Sequence, residues 1–476
     1  MTFENHFTGQ DLIEMGFTPG PHFGPLLKNI NIALDANKHK GQDAVDEAIL
    51  GVIAEFKAAF EKEKAEREAR LVPLLDTPIE AVFNITAEYE DEQTNVEAVR
   101  KTMEVLGRTP TLVATAVMPD ACPAGSIPVG GVAGARNAIH PGWHSADICC
   151  SMMATNLGDV DPKMALDIAF EISHFGPGGR PRHQEAKINP ELMEMLSQNN
   201  IFLKDKKTQS KARSDLFTCG DGNHFVFVGK SQKTGSVWIV THFGSRGFGA
   251  QIYKSGMAVA ERFRQEICPE LDKGNAWIPY DTDEGRQYWD ALQIVRAWTK
   301  ENHTVLHNMV MAKMNIDALH RRWNEHNFVF KDGDVFWHGK GATPIHNGFL
   351  PDTDGTQIVP MNMAQPILFV KGKRNDRNLG FAPHGAGRNL SRTQHKRRMT
   401  GETNEKIFAR ETAGIDARFH SGIIDISELP SAYKDADKVQ TEMERFGLAR
   451  VVDRIQPYGA IMAGDQQTFW KNKKKK

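Results

Sequence analysis

The stretch Phe381-Ala-Pro-His-Gly-Ala-Gly-Arg-Asn-Leu-Ser-Arg392 sets one imidazole, His384, among two glycines, two arginines and a serine. Gly385 and Gly387 remove side chains, so a large anion can lie close to the backbone there. Arg388 and Arg392 offer the planar fork that grips phosphate bidentately. A histidine in this setting can be a phosphate ligand, a general acid or a nucleophile that takes a phosphoryl group covalently. A basic turn with a surface histidine would have the same local sequence. Three other histidine motifs change the weighing: Gly222-Asn223-His224-Phe225, Thr241-His242-Phe-Gly-Ser-Arg-Gly-Phe-Gly249 and Trp337-His338-Gly-Lys-Gly-Ala-Thr343. Each sets a histidine beside glycine at a strand edge. Asp147-Ile-Cys-Cys150 adds a carboxylate and a thiol that can turn toward one ion after a tight turn. Any one of these is more often structural, and buried cysteine is usually a small core residue. Together they form a metal-ligand set of mixed N, O and S character. Thiolate disfavours Mg(II) and Ca(II), which take oxygen ligands, and suits Zn(II), Mn(II), Fe(II) or Co(II). A thiolate can also bridge two ions, which allows a two-metal site for phosphoryl transfer.

The elements that must position these residues follow from the texture of the chain. Its 476 residues, 40% hydrophobic and 25% charged, suit one large domain or two to three average ones. Residues 1–80 read as a helical extension, with Ile49, Val52, Ile53, Phe56 and Phe60 recurring at helical spacing. From about Val82 short β-branched runs alternate with helical patterns, so 81–470 reads as one mixed α and β body, an α+β fold. Thr111–Met118, Phe225–Val228, Val237–Thr241 and Phe328–Trp337 are predicted as strands. Asp161–His174, Met257–Glu270 and Glu284–Trp323 are predicted as helices, and residues 180–215 as a helix with a loop. The tail at 471–476 is basic and reads as a solvated end. No apolar run approaches the roughly 18 residues of a membrane span, and the N-terminus lacks a secretory pattern. Five cysteines, an odd number, argue for a reducing compartment and a cytoplasmic location. With a net charge of −2, polyanion binding requires a local basic surface.

These blocks, in this order, resemble the RtcB family of RNA-splicing ligases. The matching stretches are Met118-Pro-Asp120 with Pro128-Val-Gly-Gly-Val132, Asp147-Ile-Cys-Cys150, Gly222-Asn-His-Phe225 and His242-Phe-Gly-Ser-Arg-Gly-Phe-Gly249. Glu301-Asn302, His338-Gly-Lys-Gly-Ala-Thr343 and His384-Gly-Ala-Gly-Arg388 with Ser391-Arg392 complete the series. The likeness implies a single compact α+β domain with a central metal-containing cleft, preceded here by the small helical segment. It implies an enzyme of RNA repair and tRNA splicing that uses GTP and two Mn(II) ions. Such an enzyme joins an RNA 3′-phosphate or 2′,3′-cyclic phosphate to a 5′-hydroxyl end through a nucleotidyl-histidine on His384. Carried over, one ion would take Asp147, Cys150 and His224, and the other Cys150, His242 and His338. Asn223, Asn302, Arg388 and the loop of Gly385 and Gly387 would contact phosphates, and an archease-like activator is a possible partner. Within residues 9–27, Leu12-x-x-x-Gly-x-x-Pro-Gly-Pro-x-x-Gly-x-x-Leu27 is also similar to the small C-terminal helical module of tRNA nucleotidyltransferases.

The departures from the family cluster in the base pocket. Phe227, Asn362 and Ala463 stand where a Glu, a Ser and a Lys that serve guanine are usual. Losing the three hydrogen-bonding groups, each worth roughly 1–3 kcal/mol of discrimination, leaves the identity of the nucleotide open. Near the metals, Cys122 replaces a usual His and Ser151 a usual Gly, while His144 reads as a supporting residue or an extra ligand. Two other readings stay open: a metal-dependent RNA phosphodiesterase or phosphatase, and a catalytically silent RNA-binding paralogue. The retained ligand and nucleophile positions argue against the second.

Overall fold

The computed structural model describes residues 7–15, 17, 22–86, 90–181, 187–350 and 353–466. The basic tail at 471–476, most of the Pro/Gly turn at 16–21 and the side chain of Phe60 lie outside the described residues. The chain forms two compact units, Met1–Val72 with Glu266–Cys268, and Pro73–Gln265 with Pro269–Lys476.

The first unit is helical. Helix Phe23–Asn37 buries Leu26, Ile30 and Leu34, one residue per turn on a single face. That face packs in one apolar cluster with Val45, Ile49 and Ile53 of the Gln42–Glu68 helix and with Leu12. Burial of each such side chain stabilises by roughly 1.5–3 kcal/mol.

The second unit has the mixed α and β architecture expected from its texture. A five-stranded sheet runs in spatial order Val82–Phe83, Leu112–Cys122, Val129–Arg136, Val335–Lys340 and Asn327–Asp332. A larger sheet runs Gln357–Val359, Ile367–Lys371, Arg450–Met462, Phe225–Ser231, Val237–Phe243, Ser151–Gly158 and His320–Glu325, with Asp416–Phe419 pairing beside it. Its two edges are tied by one side chain. The Asn324 amide accepts from the Ile358 N–H at 2.8 Å and donates to the Ile358 carbonyl at 3.4 Å. Unpaired edge groups are thereby answered within the molecule.

A 32-residue helix, Asp283–Met314, lies against this sheet and buries Trp298, Asn302, His303, Leu306, His307 and Val310 along its length. The sequence pattern carried this helix to Trp323, but the structure ends it nine residues earlier. Asn315 adopts the left-handed conformation (φ 54°) and returns its N–H to the carbonyls of Ala312 and Met311, a common helix stop. Trp323 belongs to the following strand. Residues 187–215 hold two short helices, Pro190–Leu196 and Lys206–Ser214, each capped by an Asx side chain at Asn189 and Asp205. No helix among the described residues is long and apolar enough to cross a membrane.

Candidate metal and nucleotide site

Four neighbouring strands of the larger sheet deliver the donor cluster. Cys150 immediately precedes the Ser151–Gly158 strand, and His224 immediately precedes Phe225–Ser231. His242 lies within Val237–Phe243, opposite both Phe225 and Met152. His326 immediately follows His320–Glu325, whose Glu325 is opposite Ser151. Antiparallel register thus brings residues 150, 224, 242 and 326 to one end of one sheet. The main chain seals the junction, with the His326 N–H donating to the Cys150 carbonyl at 2.9 Å.

Two overlapping donor groups result: Asp147, Cys150 and His224, and Cys150, His242 and His326. The Cys150 Sγ lies 3.5 Å from His224 Nε2 and 3.1 Å from His242 Nε2. His242 Nε2 lies 3.1 Å from His326 Nε2, and Asp147 Oδ2 lies 3.5 Å from His224 Nε2. Ligand bonds of about 2.0–2.3 Å set neighbouring donors about 3.1–3.6 Å apart around one ion, so the spacing fits a metal. The tautomers fit as well. His224 Nδ1 faces the Cys219 carbonyl at 3.0 Å and His242 Nδ1 faces the Asn223 carbonyl at 3.1 Å. A carbonyl only accepts, so both Nδ1 atoms carry a proton, and in the neutral ring Nε2 is left to point its lone pair at the sulfur. Burial pushes His242 down to about 3. Burial pushes the Cys150 thiol well above its ordinary range, with Asp147 adding to it. Lone pairs and a carboxylate converging on a sulfur in this way are a ligand set for a cation.

The loop before Cys150 is shaped for this purpose. Ser145 and Cys149 take left-handed φ values of 73° and 58°, a conformation non-glycine residues hold only when their surroundings enforce it. The Cys149 main-chain N–H donates to the Asn327 carbonyl at 2.7 Å. Gly244 is needed beside it, because a Cβ there would collide with the Asp147 carboxylate.

His338, expected in the second group, is elsewhere. It lies on the Val335–Lys340 strand of the five-stranded sheet, opposite Ala133. Its Nε2 accepts from the His140 N–H at 2.9 Å, and its ring meets those of His140 and Trp143 edge-on. His326 takes the place the sequence reading assigned to it. His144 is likewise apart from the cluster, with Nδ1 donating to the Ser145 carbonyl and Nε2 accepting from the Tyr288 hydroxyl, each at 3.0 Å. Burial holds it down to about 4.

His384 follows the short Phe381–Pro383 strand. Its Nδ1 pairs with Asp120 Oδ2 at 2.5 Å, and its main-chain N–H donates to the same oxygen at 3.0 Å. Nε2 is therefore the ring nitrogen available for chemistry, and the ring centroid lies 5.0 Å from that of His326. Asp120 is fully buried. The Lys434 ammonium holds the end of its strand by the carbonyls of Pro119 and Ala121, and Lys340 holds the loop that follows by those of Ala124 and Ile127. Gly387 takes φ 75°, and a Cβ there would collide with the Asp120 main chain. This glycine lets the histidine loop touch the strand that carries the aspartate.

Beyond His384 is a cavity of 170 Å³. Phe225, Phe227, Met361, Met363, Ile367 and Met462 give it a mainly apolar wall, and Asn223, Asn362, Gly385, Gly387 and Arg388 also line it. Asn362 uses its carbonyl oxygen on the Ala364 N–H at 3.0 Å. Glu428 lines the cavity but is committed: it accepts from Arg388 at 3.3 Å, Arg392 at 2.6 Å and the Tyr433 hydroxyl at 2.6 Å. Arg388 also donates to the Ser427 carbonyl at 2.6 Å. Ala463 is fully buried in a neighbouring apolar cluster and does not line this cavity. Asn302 does not line it either. Its amide closes both hydrogen bonds on the main chain of Thr218, next to the Cys219 carbonyl that orients His224.

Two residues escaped the sequence reading. Asp120 was visible only as part of a motif, and nothing local paired it with a residue 264 positions away. His326, in Glu325-His-Asn327, lacks the flanking glycine that marked the other histidines.

A metal-competent donor cluster beside an aspartate-held histidine defines the class of site. The chain belongs to the RtcB family: the family model described as tRNA-splicing ligase RtcB matches residues 103–463. It is 26% identical to the tRNA-splicing ligase RtcB of Archaeoglobus fulgidus, an alignment covering 76% of this chain and 90% of that protein. It is 28% identical to the RNA-splicing ligase RtcB of Escherichia coli, covering 68% of this chain and 84% of that protein. The tRNA-splicing ligase RtcB of Aeropyrum pernix is 25% identical, with 72% and 86% covered.

Proposed function

We propose that this protein is an RNA ligase of the RtcB type that joins 3′-phosphate or 2′,3′-cyclic phosphate RNA ends to 5′-hydroxyl ends. The observation that carries the reading is His384, held at Nδ1 by Asp120 and set between the donor cluster and the apolar cavity. Asp120 fixes the tautomer, so Nε2 presents its lone pair, and the carboxylate compensates the positive charge that grows on the ring during attack. Attack on the α-phosphorus of a nucleoside triphosphate forms an N–P bond and expels pyrophosphate. Water opens a cyclic end to a 3′-phosphate. An oxygen of that phosphate then takes the nucleotide from His384, and the 5′-hydroxyl of the other RNA attacks the 3′-phosphate and releases the nucleoside monophosphate. Two Mn(II) ions, one held by Asp147, Cys150 and His224 and the other by Cys150, His242 and His326, would neutralise phosphate charge. Asn223, Gly385, Gly387 and Arg388 are the groups offered to phosphates, while Asn302 acts through the Thr218 loop.

The cavity wall offers the base apolar contact instead of an uncommitted carboxylate, so selection for guanine is weak and GTP is one of several acceptable donors. Use in tRNA splicing or RNA repair, a cytoplasmic site of action and an archease-like activator belong to the same proposal. The test is incubation with Mn(II) and each α-labelled nucleoside triphosphate, for wild type and His384→Ala. Acid-labile label is expected on the wild type alone. Label on neither protein with any nucleotide, or equal label on both, overturns the assignment. Release of phosphate without joining of RNA ends would instead favour a phosphodiesterase or phosphatase.

A further inference from the structure

Behind the donor cluster, on the opposite face of the same strands, runs an unbroken chain of side chains, buried from Thr155 to Ser151 and half-buried at Arg321. Arg321 Nε donates to Thr155 Oγ1 at 3.0 Å. Thr155 Oγ1 lies 2.7 Å from His307 Nδ1, and His307 Nε2 lies 2.8 Å from Thr241 Oγ1. Thr241 Oγ1 lies 2.6 Å from His303 Nδ1, and His303 Nε2 lies 3.1 Å from Ser151 Oγ. Ser151 Oγ donates to the Phe243 carbonyl at 3.4 Å.

With both imidazoles neutral, the carbonyl end dictates the direction of every link, because the single Ser151 hydroxyl hydrogen goes to Phe243. Arginine has no acceptor and a carbonyl has no donor. Thr155 therefore donates to His307, His307 to Thr241, Thr241 to His303, His303 to Ser151 and Ser151 to Phe243. Each neutral imidazole uses one N–H and one lone pair, and burial, which drives both well below the ordinary histidine range, favours that neutral form. A chain polarised in one direction strengthens each of its bonds.

Its position gives it a task. Successive side chains on a strand face opposite ways, so Thr241 points back while His242 points to the cluster, and Ser151 directly follows Cys150. Strand register places Ser151 opposite Phe243 and Met153 opposite Thr241. His303 and His307, one turn apart on the long helix, therefore grip the two strands that carry Cys150 and His242. Apolar packing is non-directional and tolerates small slips, whereas a hydrogen-bond chain fixes the offset.

We infer that Thr241, His303 and His307 are positioning residues that hold Cys150 and His242 at ligand spacing from behind the sheet. This rests on the metal reading above. The test is titration of metal-free protein with Co(II) and with Mn(II), read by the thiolate-to-cobalt absorption and by the dissociation constant. The variants are Thr241→Val, Thr241→Ser and, as a control for loss of a buried hydroxyl, Thr115→Val on the other sheet. Thr241→Val is near-isosteric and breaks the chain at its middle. It is expected to weaken metal binding about 10- to 100-fold and to shift the cobalt spectrum, with far-UV circular dichroism unchanged. Thr241→Ser keeps the hydroxyl and is expected to restore both readouts, and Thr115→Val to leave both as in the wild type. A Thr241→Val protein with wild-type affinity and spectrum overturns the inference while leaving the metal reading standing. So does a Thr241→Ser protein as impaired as Thr241→Val, or a Thr115→Val protein equally weakened. Absence of cobalt uptake by the wild type removes both readings.

Discussion

The two sides of His384 are built on opposite principles. Toward the sheet, His224 and His242 have their orientations dictated by hydrogen bonds to carbonyls, and their other ring nitrogens converge on the Cys150 sulfur. Toward the cavity, Phe225, Phe227, Met361, Met363 and Met462 offer shape and little direction. Directional partners hold a reacting centre to a fraction of an ångström, whereas an apolar wall accepts several occupants of similar size and rejects them only weakly. The donor side of this molecule is therefore tightly constrained, and under the proposed function the choice of base would be loosely constrained.

That contrast can be broken or sharpened by experiment. The largest effect is expected on the directional side. Cys150→Ser removes the donor shared by both groups and should abolish stoichiometric metal uptake, measured by elemental analysis after dialysis. Retention of two equivalents would show that the sulfur is not shared. Next is Asp120→Asn, which leaves the space filled but donates to or misorients His384. Nucleotidylation should slow by about 10²- to 10⁴-fold, with metal content unchanged. A loss of metal instead would mean that the aspartate serves the cluster.

On the cavity side, Phe227→Glu places a carboxylate in the apolar wall. Labelling with GTP should rise relative to ATP by about 10-fold or more, one hydrogen-bonded group being worth roughly 1–3 kcal/mol. An unchanged ratio would mean that the base does not sit against this wall. The smallest effect concerns the structural histidines. His140 and His144 are buried and neutral, held down to about 3 and about 4 by burial. Their folded values lie below the unfolded value of about 6.5, so the unfolded chain binds more protons below that pH. The stability is complete above about pH 6.5 and drains as pH falls toward those folded values. Each should cost roughly 1 kcal/mol by pH 5.5, read by urea denaturation of the metal-free protein. Stability that is flat from pH 7 to 5.5 would contradict neutral burial.

The directional side was partly legible from residue types, because thiol, imidazole and carboxylate beside glycine turns carry their chemistry wherever they are placed. The same clue misled at His338. It has the glycine neighbours and the strand setting, yet it is on the five-stranded sheet, where it props His140 and Trp143. The apolar side was legible at Phe227 and Asn362, which do line the cavity, and not at Ala463, which stands behind it.

By itself the sequence determined which groups are available: a sulfur and imidazoles soft enough for a transition metal, one histidine in a phosphate-friendly loop, and alternating strands and helices to hold them. Tertiary structure decided which of them meet. Strand pairing joins residues 150, 224, 242 and 326 across spans of up to 176 positions, and contact between a strand end and a loop joins Asp120 to His384. Hydrophobic pattern sets which face of a strand is buried, but not which strand lies beside it. The choice between His326 and His338 was therefore made by sheet register, and no local spacing contains it.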